Sequence, residues 1–320
     1  MLPEAVLNCI STHNLWNIWV PKAYGGLEMS LTEGLNVLKL LAKTDGSLGW
    51  TVTLCSGANY FIGNMEPEGA GAIFNLPGKN ICFGGSGAVG GTAEKSGNFY
   101  FISGQWPYAT GADYITHFTL NATITENGNP VKNEDGSPTI CSFVVPKSEV
   151  EVIHDWKSMG LKASVTKSFK IKATRVDKKF SFHYNSYHLP QAIYKIPFRI
   201  FADLTLWVNY IGMADHFQEA AAPFLQQERL AKLSAQITKA DDQINTISKA
   251  INSDSLHENE FSNYGEEIHQ AGIDSIRQLS AGIIEIYPLL GIKASAIDQE
   301  LNQVFRDYFT ATQHHNFKGE

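Results

Sequence analysis

The feature that most limits how this chain can fold is a double change of hydrophobic period along its length. Up to about Gly71 the apolar positions recur at helical spacing, as in Leu35, Leu38 and Leu41 and then Leu48, Val52 and Cys55, with a break at PKAYGG (Pro21 to Gly26). From about Asn80 to Leu189, Gly-rich turns separate short runs rich in β-branched and aromatic residues: NFYFISGQW, YITHFTLNATI, TICSFVVP and SFKIKATRV. After Pro190 long helical patterns return, from FRIFADLTLWVNYIGMADHFQEAAAPFL to IDSIRQLSAGIIEIYPLL and DQELNQVFRDYFTATQHH. Pro288 and Gly291 punctuate the last two. The periods predict an α+β, mainly α protein: an N-terminal helical domain over 1–77, a central β domain over 78–189 and a C-terminal helical bundle over 190–320. With 320 residues, 43% of them hydrophobic, the chain can bury a sizeable core shared by such cooperating units. The stretch Asn252 to Tyr264, rich in Ser, Asn and acidic residues, reads as a loop, and no internal repeat is present.

Charge and motif spacing exclude several function classes. A net charge of -7 without clustered Lys and Arg argues against nucleic-acid binding. There is no run of about 18 apolar residues, and the start MLPEAVLNCISTHN has no basic region followed by an apolar stretch, so a cytoplasmic location is expected. Cys9, Cys55, Cys82 and Cys141 lack CxxC spacing and read as reduced core residues. His13, His117, His154, His183, His188, His216, His257 and His269 show no HxxxH or HExxH pattern, so no metal site is expected. Asp241, Asp242, Glu258 and Glu260 read as a solvated face.

Gly85, Gly87 and Gly90 in GSGAVG match the GxGxxG string of dinucleotide-binding loops. Such a loop must open a helix whose N-terminus faces a pyrophosphate, whereas GTAEKSGNFYF runs into another strand. The expectation is a flexible loop beside the β domain.

The order of several further segments resembles the acyl-CoA dehydrogenase superfamily over nearly the whole chain. WVPKAYGGLEMSLTEGLNVLKLLAKTDGSLGW resembles its P-x-x-Y-G-G turn, the following helix and the D-x-S-x-x-W start of the next. GNFYFISGQWPYATGADYITHFTLNA resembles the flavin-facing β segment, VVPKSEVEVIHDWKSMGLKASVTKSFKIKATRV the second β half, and NQVFRDYFTATQHH the last bundle helix. The resemblance implies a central β-barrel, a C-terminal four-helix bundle, a flavin cofactor (FAD or FMN) and a homo-oligomer, dimer or tetramer.

A flavin ring is a flat apolar plate with a polar edge, so its site needs aromatic or aliphatic walls and a few fixed donors. Trp106, Tyr108, Thr110 and Gly111 offer aromatic walls, a hydroxyl and a close backbone approach. By resemblance Thr110 hydrogen-bonds the flavin N5 edge; the competing reading is a solvent-facing Thr at a strand end. Trp156 and the turn from Gly160 through Lys162 to Ser164 resemble a family stretch lining the cofactor cleft. Lys162 stands where Arg is usual, which keeps the cation and loses the bidentate fork. Arg306 of the R-D pair completes the cofactor candidates, with an interhelical ion pair to Asp307 as the alternative.

Dehydrogenases of this resemblance need a carboxylate to remove the substrate's α-proton. In most members it stands nine residues after the Arg of the R-D pair, where this chain has His315; in a minority it stands seven residues before a Gly, which from Gly212 leads to Thr205. Asp203 and Glu320 are the remaining candidates for a displaced base. The monooxygenase branch instead ends R-D-x-x-x-A/H-x-x-H, and Arg306, Asp307, Ala311 and His314 fit it. There the resemblance implies that His314, with His315 beside it, stabilises a C4a-peroxyflavin or moves its proton, which suits imidazole near neutral pH. Polar histidines at a fraying end are the bland alternative. The R-x-Q-F-G stretch with which dehydrogenases hold FAD is replaced by QQERLAKLS (Gln226 to Ser234), the chain begins late relative to typical members, and the middle of the bundle is short.

Together these features imply the oxygenase component of a two-component flavin monooxygenase, supplied with reduced flavin by a separate reductase and acting on a small aromatic or heterocyclic substrate. The alternatives are an acyl-CoA dehydrogenase with a displaced base and a degenerate, non-catalytic member of the superfamily.

Overall fold

The computed structural model describes residues 1–76, 80–252 and 261–317. Four helices open the chain: α1 (Glu4–Thr12), α2 (Leu31–Thr44), α3 (Gly46–Asn59) and α4 (Pro67–Phe74). A capping box starts α2, with the Ser30 hydroxyl and the Glu33 carboxylate each serving the other residue's backbone N–H. Asp45 then caps α3 by accepting the Leu48 N–H at 2.8 Å.

The strands follow in one block: β1 (Phe83–Ser96), β2 (Phe99–Ala109), β3 (His117–Glu126), β4 (Asn129–Pro130), β5 (Ile140–Pro146), β6 (Glu151–Ile153), β7 (Lys167–Asp177) and β8 (Ser181–Phe182). They form one sheet in the order β6-β7-β2-β1-β3-β5-β8, with β4 paired to β3. The β1 and β3 pair is parallel and the others are antiparallel. The sheet is open, which corrects the expected barrel. Its two edges are strands of three and two residues that offer few ladder groups for closure. The β8 edge is instead covered by the segment between α3 and α4: Phe182 bridges to the extended Met65 and its ring lies 4.9 Å from that of Phe61.

GSGAVG is likewise not a loop. It lies inside β1, where the pairing with β3 shifts register between Gly85 and Val89 and again before Gly91. A Cβ on Gly85 would stand 1.7 Å from the Thr119 carbonyl oxygen, and one on Gly90 would stand 2.3 Å from that of Gln105. Gly85 and Gly90 are there because neighbouring backbone comes too close for any side chain, whereas Gly87 has open space around it.

The remaining helices are α5 (Phe198–Ala221), α6 (Gln227–Asn252), α7 (Phe261–Ile286) and α8 (Glu300–Ala311). Residues 261–264 are therefore helical rather than loop, and 253–260, with His257, Glu258 and Glu260, lie outside the described residues. From Leu204 to Ala214 every residue of α5 is buried. A helix buried around its full circumference must be central, and α5 packs against α2, α3, α6, α7 and α8. One continuous apolar core runs from α1 through α5 to α8. A second lies within the sheet region around Ile102, Trp106, Phe118, Phe143 and Phe169.

Candidate flavin and oxygen site

Three of the eight non-glycine residues with positive φ among the described residues lie at or beside the candidate positions. Tyr108 has φ +63°, Leu161 +49° and the β-branched Val165 +43°, a conformation that side-chain-bearing residues avoid unless their surroundings enforce it. These residues lie on two adjoining turns. The end of β2 pairs with the start of β7 through a register shift between Trp106 and Ala109, and the Gly111 N–H donates to the Ser164 carbonyl at 2.8 Å. Gly111, at φ +77°, sits so close to α3 that a Cβ would stand 2.6 Å from the Cys55 sulfur.

The candidate residues divide within this arrangement. Thr110 is buried rather than solvent-facing: its hydroxyl lies 3.0 Å from that of Thr166, which lies 2.8 Å from that of Ser164, so the three form a chain of hydroxyls under the turn. Tyr108 is 71% exposed at the strand's end. Trp156 is half-buried, its indole N–H donating to the Leu161 carbonyl at 3.1 Å, and Lys162 is exposed. Trp106 is elsewhere: fully buried, stacked on Phe169 at 5.3 Å and donating to the Asn121 carbonyl at 2.8 Å, it is a pillar of the sheet core and offers no open wall.

The last helix docks onto the second turn. The Asp307 carboxylate accepts the Leu161 N–H, and the Thr310 hydroxyl accepts the Gly160 N–H at 2.9 Å. Gly160 must be glycine, since a Cβ would stand 2.1 Å from the Arg306 carbonyl oxygen. Arg306 donates to the Asn302 side-chain oxygen at 2.7 Å and to the Met159 carbonyl at 2.8 Å. Its guanidinium thus ties α8 to the turn, and no ion pair joins it to Asp307 among the described contacts. Burial pushes the Asp307 carboxyl up to about 6, the Leu161 N–H working against that shift and the Asp45 charge adding to it.

Helix α3 unites the pieces. Gly46 faces Asp307, and Thr51 and Cys55 face Gly111. Trp50 meets His314 edge-to-face at 5.5 Å. His314 is half-buried just past α8 and lies 4.5 Å, ring to ring, from the exposed His315. The D-x-S-x-x-W motif therefore carries a site residue, Trp50, that its pattern alone marked only as a helix start.

A buried carboxylate near this end was singled out only as a displaced base. Asp203 on α5 lies 3.1 Å from the His269 Nδ1 of α7 and accepts the Asn316 side-chain N–H of the tail. Both its oxygens are thus hydrogen-bonded within the bundle and the tail, and its side chain is 1% exposed; the other candidate, Glu320, lies outside the described residues. Asn121 also escaped notice. Buried in β3, its amide donates to the Gly87 carbonyl at 2.9 Å and accepts from Ser142 at 2.7 Å.

No protein-family model matches the chain. It is 26% identical over 237 residues to indole-3-acetate monooxygenase of Acinetobacter baumannii, an alignment covering 73% of this chain and 57% of that protein. It is 19% identical over 222 residues to the oxygenase subunit HsaA of a flavin-dependent monooxygenase of Mycobacterium tuberculosis, covering 67% and 54%. The chain thus spans little more than half the length of these curated relatives. Among solved structures, the HsaA monooxygenase from M. tuberculosis superposes with a TM-score of 0.88 at 16% identity, covering 99% of this chain and 87% of that one. XiaF from Streptomyces sp., in complex with FADH2 and glycerol, gives 0.85 at 18% identity, covering 99% and 85%. The chain has the acyl-CoA dehydrogenase-like fold of these flavin-dependent monooxygenases.

Proposed function

We propose that this protein is the oxygenase component of a two-component flavin monooxygenase: a cytoplasmic homo-oligomer that takes reduced FAD or FMN from a separate reductase and oxygenates a small aromatic or heterocyclic compound. The observation that carries this reading is the placement of the His314 imidazole against Trp50 of α3, the helix that also meets the Gly111 turn, while His315 stands where the resemblance to dehydrogenases implies a carboxylate. The relatives' names as flavin-dependent monooxygenases support it. The dehydrogenase reading has His315 and Thr205 at the two positions where the resemblance implies a carboxylate, and Asp203 is 1% exposed inside the bundle.

The residues present fit a flat, edge-polar ring. An exposed Tyr108 and a half-buried Trp156 supply aromatic surface, the Thr110, Thr166 and Ser164 hydroxyls lie under the turn, and Lys162 adds a cation at its rim. Bound reduced flavin supplies the two electrons with which oxygen is activated, one oxygen atom going to substrate and the other leaving as water. The protein's part is to hold the ring between the turns and α3, to exclude water with Trp50, and to hold or move a proton at the His314 imidazole.

Rapid mixing of the anaerobic protein and reduced flavin with oxygen tests this. The expected result is an absorbing species distinct from both reduced and oxidised flavin, with a lifetime shortened about tenfold or more in His314→Ala. Flavin oxidation at the same rate with and without protein, for FAD and FMN alike, would sink the reading.

A further inference from the structure

Three segments distant in sequence meet around one buried carboxylate. The Asp203 side chain on α5 is 1% exposed and that of its partner His269 on α7 is 19% exposed. The third member is Asn316, two residues past His314. The next residue, Phe317, stacks on the His269 ring at 5.6 Å with the planes 19° apart, and meets the edge of Tyr210 at 6.1 Å. It lies so close to α7 that a Cβ on Gly272 would stand 2.6 Å from its ring. Tyr210 in turn donates to the Ala311 carbonyl at 2.7 Å and packs edge-on against Trp50. The tail after α8 is therefore held on one side by Asp203 and His269 and on the other by Tyr210 and Trp50, and His314 lies between the two holds.

We infer that the Asp203 and His269 pair is a positioning device: by capturing Asn316 and Phe317 it seats the His314 imidazole against Trp50, and it does not itself touch the cofactor or the substrate. The functional half of this inference rests on the monooxygenase reading above; the structural half does not. An isolated carboxylate this deeply buried is unfavourable unless paired and hydrogen-bonded. The imidazole Nδ1–H satisfies one oxygen and the Asn316 amide the other, so the bundle's own need to satisfy Asp203 fixes where the tail must lie. Four residues of tail, Thr312 to His315, span the distance from α8 to Asn316, which leaves His314 little freedom.

The test compares His269→Ala, His269→Asn and Asn316→Ala with wild type. Asn places a donor where the Nδ1–H of His stood but offers no ring to Phe317, so it separates the hydrogen bond from the stack. In His269→Ala and Asn316→Ala, amide hydrogen exchange over residues 312–317 should rise about tenfold or more while exchange in β1 to β3 stays unchanged. The imidazole NMR signals of His314, assigned by their loss in His314→Gln, should move toward those of an unstructured histidine, and His269→Asn should restore them in part. Where the flavin-dependent transient forms, His269→Ala should shorten it, and adding His314→Ala should bring no further loss, since both would remove one function. Unchanged exchange and unchanged His314 signals in folded His269→Ala and Asn316→Ala overturn the inference. Should His269→Ala not fold, Asn316→Ala and Phe317→Ala give the same readouts from the tail side. If exchange and NMR shift as expected while wild type forms no transient, the positioning stands and the monooxygenase reading falls.

Discussion

Asp307 is the buried acid whose protonation should be felt in stability. An Asp in the unfolded chain titrates near 4, whereas burial raises this one to about 6. The folded protein therefore binds the proton more tightly. That advantage is complete below about pH 4 and is lost as pH rises through 6. Asp307→Asn keeps an acceptor for the Leu161 N–H and has no charge to bury. Its stability relative to wild type should improve by about 2–3 kcal/mol between pH 4 and pH 7, measurable by urea titration at the two pH values; a difference independent of pH would refute the assigned titration. Gly111→Ala tests the neighbouring turn. A left-handed φ and a Cβ 2.6 Å from the Cys55 sulfur should together lower stability by about 2 kcal/mol or more. Adding Cys55→Ala should recover only the steric part. Gly111 could be noticed in the sequence because its role is local. The grouping of Asp203, His269 and Asn316 could not, because it is made by three segments from two helices and a tail, and no spacing along the chain encodes it. Trp106 shows the converse: an aromatic beside a functional turn invited a cofactor role, but strand alternation sends its side chain into the sheet core, opposite to its neighbours.

Among the elements, β1 carries the most concentrated constraint. Gly85, Gly90 and Gly91 all face backbone or the Trp106 ring at distances no side chain tolerates. Gly90→Ala would place a methyl 2.3 Å from the Gln105 carbonyl oxygen and 2.7 Å from the indole, so β1 must move off β2 or Trp106 must leave its stack on Phe169. The expected outcome is loss of the tryptophan near-ultraviolet dichroism from this stack, with Gly87→Ala, where nothing lies within 4 Å, as the silent control. Equal spectra for the two variants would show that the bulged strand has room to spare. The strands and helices themselves were legible, since NFYFISGQW, TICSFVVP and SFKIKATRV lie within β2, β5 and β7 and their immediate flanks, and FRIFADL opens α5. The openness of the sheet was not. Closure depends on whether the first and last strands can reach one another, and β6 and β8 are so short that they carry almost no pattern to read.

At the scale of the whole molecule, the apolar surface left uncovered bears on the proposed assembly. Ile284 near the end of α7, and Leu289, Ile292 and Ile297 on the stretch that joins α7 to α8, are all at least half exposed, and Ile292 and Ile297 exceed 80%. Met159, half exposed, belongs to the same region, because Arg306 donates both to its carbonyl and to that of Ile297. Single exposed apolar residues are ordinary, but a run of this kind at one end of a bundle marks an interaction surface. It also lies against the Gly160 turn and α8, so a subunit packed there would shield the proposed cofactor site from water without contributing to its chemistry. If a second copy of the chain covers it, replacing Ile292 and Ile297 together with Lys should lower the mass measured by sedimentation velocity, with the helical signal intact. Flavin affinity should then fall in step with the loss of assembly and recover at high protein concentration, as mass action requires. A wild-type protein that sediments as a monomer would remove the contact between copies altogether, and a double variant of unchanged mass would place it on another face; either leaves these isoleucines without that role.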